Sequence, residues 1–386
     1  MYHTDDVILA MKDLTRYFPQ GIATDISFCN RDKERTDLKH SIERHEHVVL
    51  VAPRRYGKTS LVMQVLKEND FPGACIDFFF VLTQNDVAKL LMEGISKIMT
   101  DLLPPTKAAC AKLIESIATF NPKLTFNLLG QTLEISTKQT TEKSISELLL
   151  ALDYFADKAQ KSCVIIFDEF QQIGELKENH AVEAAIRHAV ERSQNISYIF
   201  CGSKRHLLSE MFSDKSRPLY HLCDLMSIER IEDHAYHSFL NKLAKKKWMR
   251  SLQDDVIQEI SHLTENHPYY VNALCRRLWR HDTPPSMGGV RNTWSDFVDQ
   301  QKDWISNDLV QLTLNRRKVL TTLAYEPTHL FQGQVFSAST GLTPSSINKC
   351  ISDLRKLDMI YQDKSGYYRV LDPAIAYFIR QHALRD

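Results

Sequence analysis

Four short and continuous apolar segments stand out in the first 230 residues of the chain. Each is rich in Val, Ile and Phe, and apolar residues do not alternate with polar ones within it. Such segments are typical of strands that are buried on both faces of a parallel sheet. They cover residues 47–51, 74–81, 163–168 and 196–202, with a weaker fifth candidate at 222–228.

Helical patterns separate these segments, at residues 59–68, 85–102, 143–160 and 180–192. The alternation of strand and helix predicts an α/β domain with a parallel sheet. Residues 121–136 break the alternation, and the Leu129-Gly130-Gln131 centre of this segment predicts a hairpin inserted into the α/β core.

The pattern changes near residue 231, where the strand-like segments stop. Helices are predicted at 232–247, 252–264 and 269–280, and the Pro and Gly content of 281–292 predicts a loop. Three further helices (315–325, 331–340 and 344–359) precede a hairpin at 360–371, which is the order of a winged helix. We therefore predict an N-terminal extension (1–25), an α/β core (26–230), a helical domain (231–305) and a winged-helix domain (306–386).

The composition limits the class of protein. The 386 residues are too many for one ordinary core, and 43% apolar with 25% charged residues is typical of a soluble globular protein. The 48 basic and 48 acidic residues cancel, which excludes a chain-wide basic field for nucleic acid. The eight Cys are scattered, and there is no apolar run of membrane-spanning length or secretory signal, so we expect a cytoplasmic protein that does not contact membranes.

The stretch VAPRRYGKTSL, residues 51–61, ends one predicted strand and begins the next helix. A strand, a Gly-Lys-Thr turn and a helix form the phosphate-binding loop of nucleotide-binding proteins. Lys58 is expected to reach the β- and γ-phosphates of ATP, and Thr59 to offer its hydroxyl to Mg²⁺. Ala52 stands where such a loop usually has its first glycine, which is acceptable if its φ is negative.

Two adjacent carboxylates follow the apolar strand at 163–168. Asp168 is predicted to hold the Mg²⁺ shell, and Glu169 to polarise a water molecule for attack on the γ-phosphate. Ser203 follows the next strand, and the carboxyl ends of parallel strands line the same ligand crevice. Ser203 is therefore expected near the γ-phosphate or the attacking water.

The segments APRRYGKTSL, VIIFDEFQQI, FCGSKRHLL, SRPLY and HPYYVNALC follow one another along the chain. In this order they resemble the archaeal-type ATPases of the STAND branch of AAA+-related P-loop proteins, in the group whose loop reads Pro-Arg-Arg-x-Gly-Lys-Thr-Ser. The resemblance covers roughly residues 26–380 and implies an AAA+-like P-loop NTPase core of five strands, a helical lid and a winged helix. It implies catalytic roles for Lys58, Glu169 and Ser203. The candidate ATP contacts in the loop are Pro53, Arg54, Arg55, Tyr56, Gly57, Lys58, Thr59 and Ser60.

The resemblance implies two more ATP-binding elements outside the loop. The family has a Phe-x-Gly-Arg-x-x-Glu stretch near the base, and this chain has Phe28 and Arg31 at the matching positions, with Asn30 in place of the glycine. Asparagine also tolerates the positive φ that a glycine would adopt. His267-Pro268 matches a lid element that closes on the nucleotide, although a proline is also common at the start of a helix.

Several arginines are candidates for supplying positive charge to the transition state. Arg54 and Arg55 could contact phosphates, pair with an acid or touch a neighbouring domain. Arg217 lies in the SRPLY segment, and Arg205 follows the predicted sensor Ser203. The sequence does not choose among them, and a surface salt bridge is an alternative for each.

Two hypotheses of function follow. The first is a slow ATPase switch, in which ATP holds the lid and winged helix against the core for signalling, regulation or defence, through a protein partner or self-association. The second is an ATP-dependent DNA-binding protein that uses Lys349, Arg355 and Lys356 of the third helix, with Lys364 in the wing. Residues 301–386 have 11 basic and 8 acidic residues, a net charge of only +3. A binding scaffold with incidental ATPase activity is a third reading.

Overall fold

The computed structural model describes residues 16–102, 127–128, 131–132 and 141–382. These residues form two compact units. The first unit contains Arg31–Glu229, and the second combines the described residues up to Asn30 with those from Arg230 onward.

The first unit is built on a five-stranded parallel sheet with the order β2-β5-β6-β1-β7. Strand β1 lies in the middle of the last three strands, so that Val51 pairs with Gly202 of β6 and with Ser227 of β7. The strands alternate with helices, which confirms the predicted α/β class. The elements are α1 Asp32–Glu43, β1 Val48–Val51, α2 Lys58–Glu68, β2 Gly73–Asp77, α3 Gln84–Leu102, β3 Asn127–Leu128, β4 Gln131–Thr132, α4 Thr141–Ala159, β5 Cys163–Asp168, a 3-10 helix Phe170–Glu175, α5 Asn179–Val190, β6 Ile196–Gly202, α6 Arg205–Ser213 and β7 Asp224–Ser227.

Strand β2 is shorter than the predicted segment 74–81. The strand ends at Asp77, whose carboxylate accepts a hydrogen bond from the Phe79 amide at 2.9 Å and turns the chain. The aromatic residues that follow were included in the strand because they are apolar, yet Phe80 is 85% exposed. The prediction of a strand over 78–81 is therefore wrong.

The predicted hairpin insertion at 121–136 is described only at its centre. Asn127–Leu128 pairs antiparallel with Gln131–Thr132, so the paired residues agree with a hairpin around Leu129-Gly130. The rest of the predicted segment lies outside the described residues.

Buried aromatic side chains pack against one another near the carboxyl ends of β5 and β6. Phe167, Phe170, Phe200 and Phe212 are buried, and the Phe170 and Phe200 ring centroids lie 4.7 Å apart in an edge-to-face arrangement. Phe200 and Phe212 are 5.0 Å apart in a similar arrangement. This packing fixes the backbone immediately after Asp168, where the predicted catalytic residue lies.

The second unit is mainly helical. Its elements are a 3-10 helix Asp25–Ser27, α7 Asp233–Trp248, α8 Asp254–Thr264, α9 Pro268–Leu278, α10 Met287–Asp299, α11 Lys302–Val310, α12 Leu314–Tyr325, α13 Gln334–Thr340, α14 Pro344–Lys356, β8 Ile360–Gln362, β9 Tyr368–Val370 and α15 Pro373–His382. Strands β8 and β9 pair antiparallel after three helices, in the predicted order.

The loop predicted at 281–292 is too long. Helix α10 begins at Met287, with Ser286 as its N-cap: the Ser286 hydroxyl accepts from the Gly289 amide at 3.2 Å. This cap overrides the low helix propensity of Gly288 and Gly289. Helix α11 was not predicted from the sequence.

One continuous hydrophobic core runs through the second unit, from Phe18 through α7–α10 to α12–α15. Arg230 lies at the beginning of this unit, where its guanidinium donates to Glu265 at 2.5 Å and to the Leu371 carbonyl at 2.8 Å. None of the helices in the described part of the chain is long and apolar enough to cross a membrane.

Candidate nucleotide-binding site

The loop between β1 and α2 has the backbone of a phosphate-binding turn. Arg55 and Gly57 have positive φ angles of 64° and 87°, and α2 begins directly afterwards at Lys58. Turns of this kind direct backbone N–H groups inward, and the helix N-terminus adds positive potential. Ala52 is not among the described residues with positive φ, so its backbone conformation suits an alanine at the position of the first glycine.

Lys58 lies over the loop that it follows. Its side chain is buried, and its ammonium donates to the Ala52 carbonyl at 2.9 Å and to the Pro53 carbonyl at 3.2 Å. A positive charge is therefore present at the centre of the turn, where it faces any anion bound by the loop N–H groups.

Arg31 supports the loop from the preceding segment. Its buried guanidinium donates to the Tyr56 carbonyl at 3.1 Å and pairs with Glu34 at 3.1 Å. The spacing of Arg31 and Glu34 at the start of α1 thus has a structural reason. Asn30 has a φ of 54°, which confirms that asparagine takes the left-handed conformation expected there.

Thr59 and Asp168 face each other across the site. The Thr59 hydroxyl donates to Asp168 Oδ2 at 2.8 Å, and the Glu169 amide donates to Asp168 Oδ1 at 3.0 Å. Burial raises the pKa of Asp168, while the hydrogen bond from Thr59 acts in the opposite direction.

A hydroxyl and a buried carboxylate are hard oxygen donors that suit Mg²⁺. Among the described residues no group of three or more His, Cys, Asp or Glu side chains could hold a metal ion alone. The pair of Thr59 and Asp168 therefore fits an ion whose other ligands are phosphate oxygens and water, as is usual for nucleotide-bound Mg²⁺.

Glu169 takes an unusual backbone conformation. Its φ and ψ angles are 49° and 38°, in the left-handed region that a glutamate rarely adopts. Ser203 Oγ donates to Glu169 Oε2 at 2.8 Å, so the structure brings the predicted catalytic and sensor residues together. The next residue, Phe170, anchors this turn in the aromatic core.

The SRPLY segment is held by two charged residues of α5. Arg217 forms an ion pair with Glu183, whose side chain is completely buried. Arg187 donates to the carbonyls of Pro218 and Tyr220. Burial raises the pKa of Glu183 to about 7, and the neighbouring Arg217 acts in the opposite direction. The guanidinium of Arg217 is thus occupied by a buried carboxylate of its own unit.

The remaining predicted loop and arginine residues differ in exposure. Arg54 and Arg55 are exposed, Ser60 is half-buried in the first turn of α2, and Arg205 is half-buried at the first position of α6. Tyr56 is 2% exposed, so its side chain belongs to the core rather than to the surface of the loop.

Seven of the predicted site residues belong to the second unit. Phe28 belongs to the second unit, where it caps the Asp25–Ser27 turn through its backbone amide. His267 is buried in the same unit as the N-cap of α9, and Pro268 is the first residue of that helix. Lys349, Arg355, Lys356 and Lys364 are all exposed, the first three on α14 and the last in the turn between β8 and β9.

The sheet order, the loop before α2 and the carboxylates after β5 together define the class of P-loop ATPases. Residues 28–274 match the model of an ATPase domain found predominantly in Archaea. Since this match covers more than half of the 386 residues, the chain belongs to that archaeal ATPase family.

Individual relatives agree with this assignment. The chain is 22% identical over 268 residues to an uncharacterised ATP-binding protein of Methanocaldococcus jannaschii. This alignment covers 65% of this chain and 70% of the relative. The Walker-type ATPase of Pyrococcus abyssi aligns with 93% of this chain and 98% of its own, with a TM-score of 0.66 and 20% identity. The ORC2 protein of Aeropyrum pernix aligns with 91% and 94%, with a TM-score of 0.52 and 12% identity. At these identities the two structures show that the fold is shared.

Three functional contacts were not predicted from the sequence. Gln171 contacts Glu169, Glu183 pairs with Arg217, and Arg187 binds the SRPLY backbone. The segment VIIFDEFQQI contains a signal for Gln171, because a polar residue two positions after Glu169 can turn back towards it in a 3-10 turn. The partners of Glu183 and Arg187 lie 34 and 31 residues away, and no local pattern marks them.

Proposed function

We propose that this protein binds Mg·ATP at the loop between β1 and α2 and hydrolyses it with Glu169 as the general base. The observation that supports the proposal most is the close approach of Thr59 and Asp168, at 2.8 Å, beside Lys58 and Glu169. Lys58 and Thr59 begin helix α2, whereas Asp168 and Glu169 lie at the end of strand β5, and the four side-chain types match the requirements of phosphoryl transfer.

Each residue has a defined task in this proposal. The loop amides and the Lys58 ammonium bind the β- and γ-phosphates, with the ammonium leaving the carbonyls of Ala52 and Pro53. Thr59 and Asp168 hold the Mg²⁺ ion, which offsets phosphate charge. Glu169 orients a water molecule and accepts its proton during attack on the γ-phosphate, and Ser203 keeps the carboxylate in place.

The test is ATP binding and hydrolysis by the full chain with matched variants. Lys58→Ala is expected to lose ATP binding, whereas Glu169→Gln is expected to bind ATP and to lose at least about 100-fold in turnover, in the range for a general base. Glu175→Gln is the control, because this exposed carboxylate pairs with Lys204 at 2.8 Å and takes no part in the proposed chemistry. Normal turnover in Glu169→Gln would contradict the assignment of the base.

We further propose that the protein is a switch of the STAND type, with the second unit as the responding element. The predicted lid and winged helix share one hydrophobic core, which favours a movement of the second unit as a whole. A partner protein or a second copy of the chain would bind to one position of the second unit in preference to the other. Limited proteolysis with ATP, with ADP and without nucleotide tests the proposal, and identical cleavage patterns in all three conditions would exclude it.

DNA binding by a winged helix is a second candidate function, and the surface of α14 favours it. The acidic residue on this helix, Asp353, is paired with Arg316 at 2.6 Å, and this hydrogen bond lowers the pKa of Asp353. Lys349, Arg355 and Lys356 remain exposed on the helix. The Arg316 cation balances the Asp353 charge, which would otherwise oppose binding to a phosphate backbone.

The DNA proposal is tested by a salt series of duplex binding. Lys349→Glu/Arg355→Glu is expected to weaken binding by 100-fold or more, in line with the roughly 1–3 kcal/mol per contact typical of protein–DNA interfaces. Lys242→Glu/Lys302→Glu makes the same charge change on exposed residues of α7 and α11 and serves as the control. No binding by the parent chain at low salt would end this proposal and favour a protein partner.

A further inference from the structure

A glutamine two residues after the proposed general base contacts its carboxylate. Gln171 lies in the 3-10 helix after β5, and its Nε2 donates to Glu169 Oε2 at 2.5 Å. Ser203 Oγ donates to the same oxygen at 2.8 Å. Two donors from different elements therefore hold one carboxylate oxygen, while Glu169 Oε1 accepts no hydrogen bond from the described residues.

The burial of Gln171 is unfavourable for stability. The side chain is 1% exposed, and its Oε1 has no hydrogen-bond donor among the described residues. A buried amide oxygen without a donor destabilises a protein, and an apolar side chain of similar length would avoid this effect. The opposite amide orientation is excluded because it would place Oε1 against the Glu169 carboxylate.

Gly202 provides the space for this glutamine. A Cβ atom at position 202 would lie 2.1 Å from Gln171 Oε1 and 3.2 Å from its Cδ. Gly202 has no positive φ, so the backbone conformation itself does not require glycine. The absence of a side chain at this position is instead explained by the close approach of the Gln171 amide.

We infer that Gln171 is a positioning residue for the proposed hydrolysis: it fixes the Glu169 carboxylate by Oε2 and leaves Oε1 to accept the proton of the attacking water. The inference rests on the proposed function of Glu169. A glutamate has three rotatable side-chain bonds, and two donors from packed elements restrict them before ATP binds. The glutamine is therefore kept, despite the stability lost at its unpaired amide oxygen, because it orients the Glu169 carboxylate.

The principal variant is Gln171→Met, which removes the amide and keeps the length of the side chain. We expect kcat to fall roughly 10- to 100-fold, the effect of losing one hydrogen bond to a charged group. The KM for ATP and the Kd for ATP should change less than twofold, because the Gln171 side chain makes no hydrogen bond to the described residues of the loop. The melting temperature should stay equal or rise, because the unpaired buried oxygen is gone.

A second variant reaches the same contact from the other side. Gly202→Ala keeps the amide but displaces it, and we expect the same fall in kcat at unchanged KM. If both act through one hydrogen bond, the double variant should be no slower than Gln171→Met alone. Gln172→Met is the matched control, because the adjacent glutamine is half-buried and its side chain makes no hydrogen bond in the described part of the chain.

The outcomes separate this inference from the proposed function. A parent protein that neither binds nor hydrolyses ATP would refute the proposed function itself. If the parent hydrolyses ATP, an unchanged or increased kcat in Gln171→Met would overturn the positioning role, and an increase would mean that Gln171 holds Glu169 away from its working position. Loss of both kcat and melting temperature in Gln171→Met, with full activity in Gly202→Ala, would also overturn it and leave a packing role.

Discussion

The buried pair of Arg217 and Glu183 allows a quantitative prediction. Burial raises the pKa of Glu183 from 4.5 to about 7, although Arg217 acts in the opposite direction. The native state therefore keeps this proton up to about pH 7, whereas the unfolded chain loses it near pH 4.5. The contribution of Glu183 to the free energy of unfolding falls as the pH rises through this interval, by about 1.4 kcal/mol per pH unit at most.

Replacing Arg217 by methionine should lower the free energy of unfolding by an amount that depends on pH. Because Arg217 lowers the pKa of Glu183, the variant keeps Glu183 protonated to higher pH, whereas the parent gains about 1.4 kcal/mol from ionising Glu183 one pH unit above its pKa. The total loss at pH 8, including the lost hydrogen bond, should therefore be about 2 kcal/mol. At pH 5.5 Glu183 is protonated in the native state of both proteins, so the loss should shrink to about 1 kcal/mol, the value of an ordinary hydrogen bond. The variant should therefore be more stable at acidic than at basic pH relative to the parent.

Amide hydrogen exchange of peptides from α5 and β6 is the suitable assay, because it reports on the first unit alone. Tryptophan fluorescence is unsuitable, since Trp248, Trp279, Trp294 and Trp304 all belong to the second unit. Lys215→Met, at an exposed position two residues away, is the control. A loss below about 1 kcal/mol at pH 8, or one that does not depend on pH, would refute the reasoning.

The same pair tests the catalytic prediction for Arg217. Glu183→Met/Arg217→Met replaces both charges by apolar side chains and should recover most of the stability, as is common for buried pairs. We expect this double variant to hydrolyse ATP at a rate near that of the parent, because the guanidinium is occupied by Glu183. A stable double variant without turnover would instead identify Arg217 as a source of positive charge in the reaction.

Three further predictions concern the loop and the second unit. Gly57→Ala should raise the Kd for ATP about tenfold, because the φ of 87° costs an alanine roughly 1–2 kcal/mol; isothermal titration calorimetry measures it, and an unchanged Kd would contradict the loop geometry. Arg31→Met should raise the same Kd about 5- to 10-fold by removing the bond to the Tyr56 carbonyl, whereas Lys33→Met at an exposed position should not. Asp372→Ala should destabilise the second unit by about 1–3 kcal/mol, since its carboxylate accepts from the Ala374 and Ile375 amides at the start of α15 and from the Tyr270 hydroxyl. Tryptophan fluorescence follows that unit during urea unfolding, and an unchanged midpoint would refute the last prediction.

The strands and the nucleotide motifs could be predicted from the sequence because their signals are local. A continuous apolar segment is the direct result of burial on both faces, and β5 and β6 have the predicted bounds. The Gly57-Lys58-Thr59 turn has a fixed geometry wherever it connects a strand to a helix. The prediction of a strand over 78–81 was wrong because an apolar segment does not by itself show that its side chains are buried, and Phe80 is exposed.

The contacts that organise the site join residues far apart in sequence, and their geometry depends on packing. Glu169 and Ser203 are 34 residues apart, and their contact could be predicted by assuming only that the ends of neighbouring strands meet. To predict the contact of Gln171 with Glu169, one would have to know three further features: the left-handed turn at Glu169, the packing of Phe170 and the missing side chain at Gly202. Since each of these features has another ordinary explanation in the sequence, only their coincidence in space indicates a positioning role, and this is why the Gly202→Ala and Gln171→Met variants are most informative together.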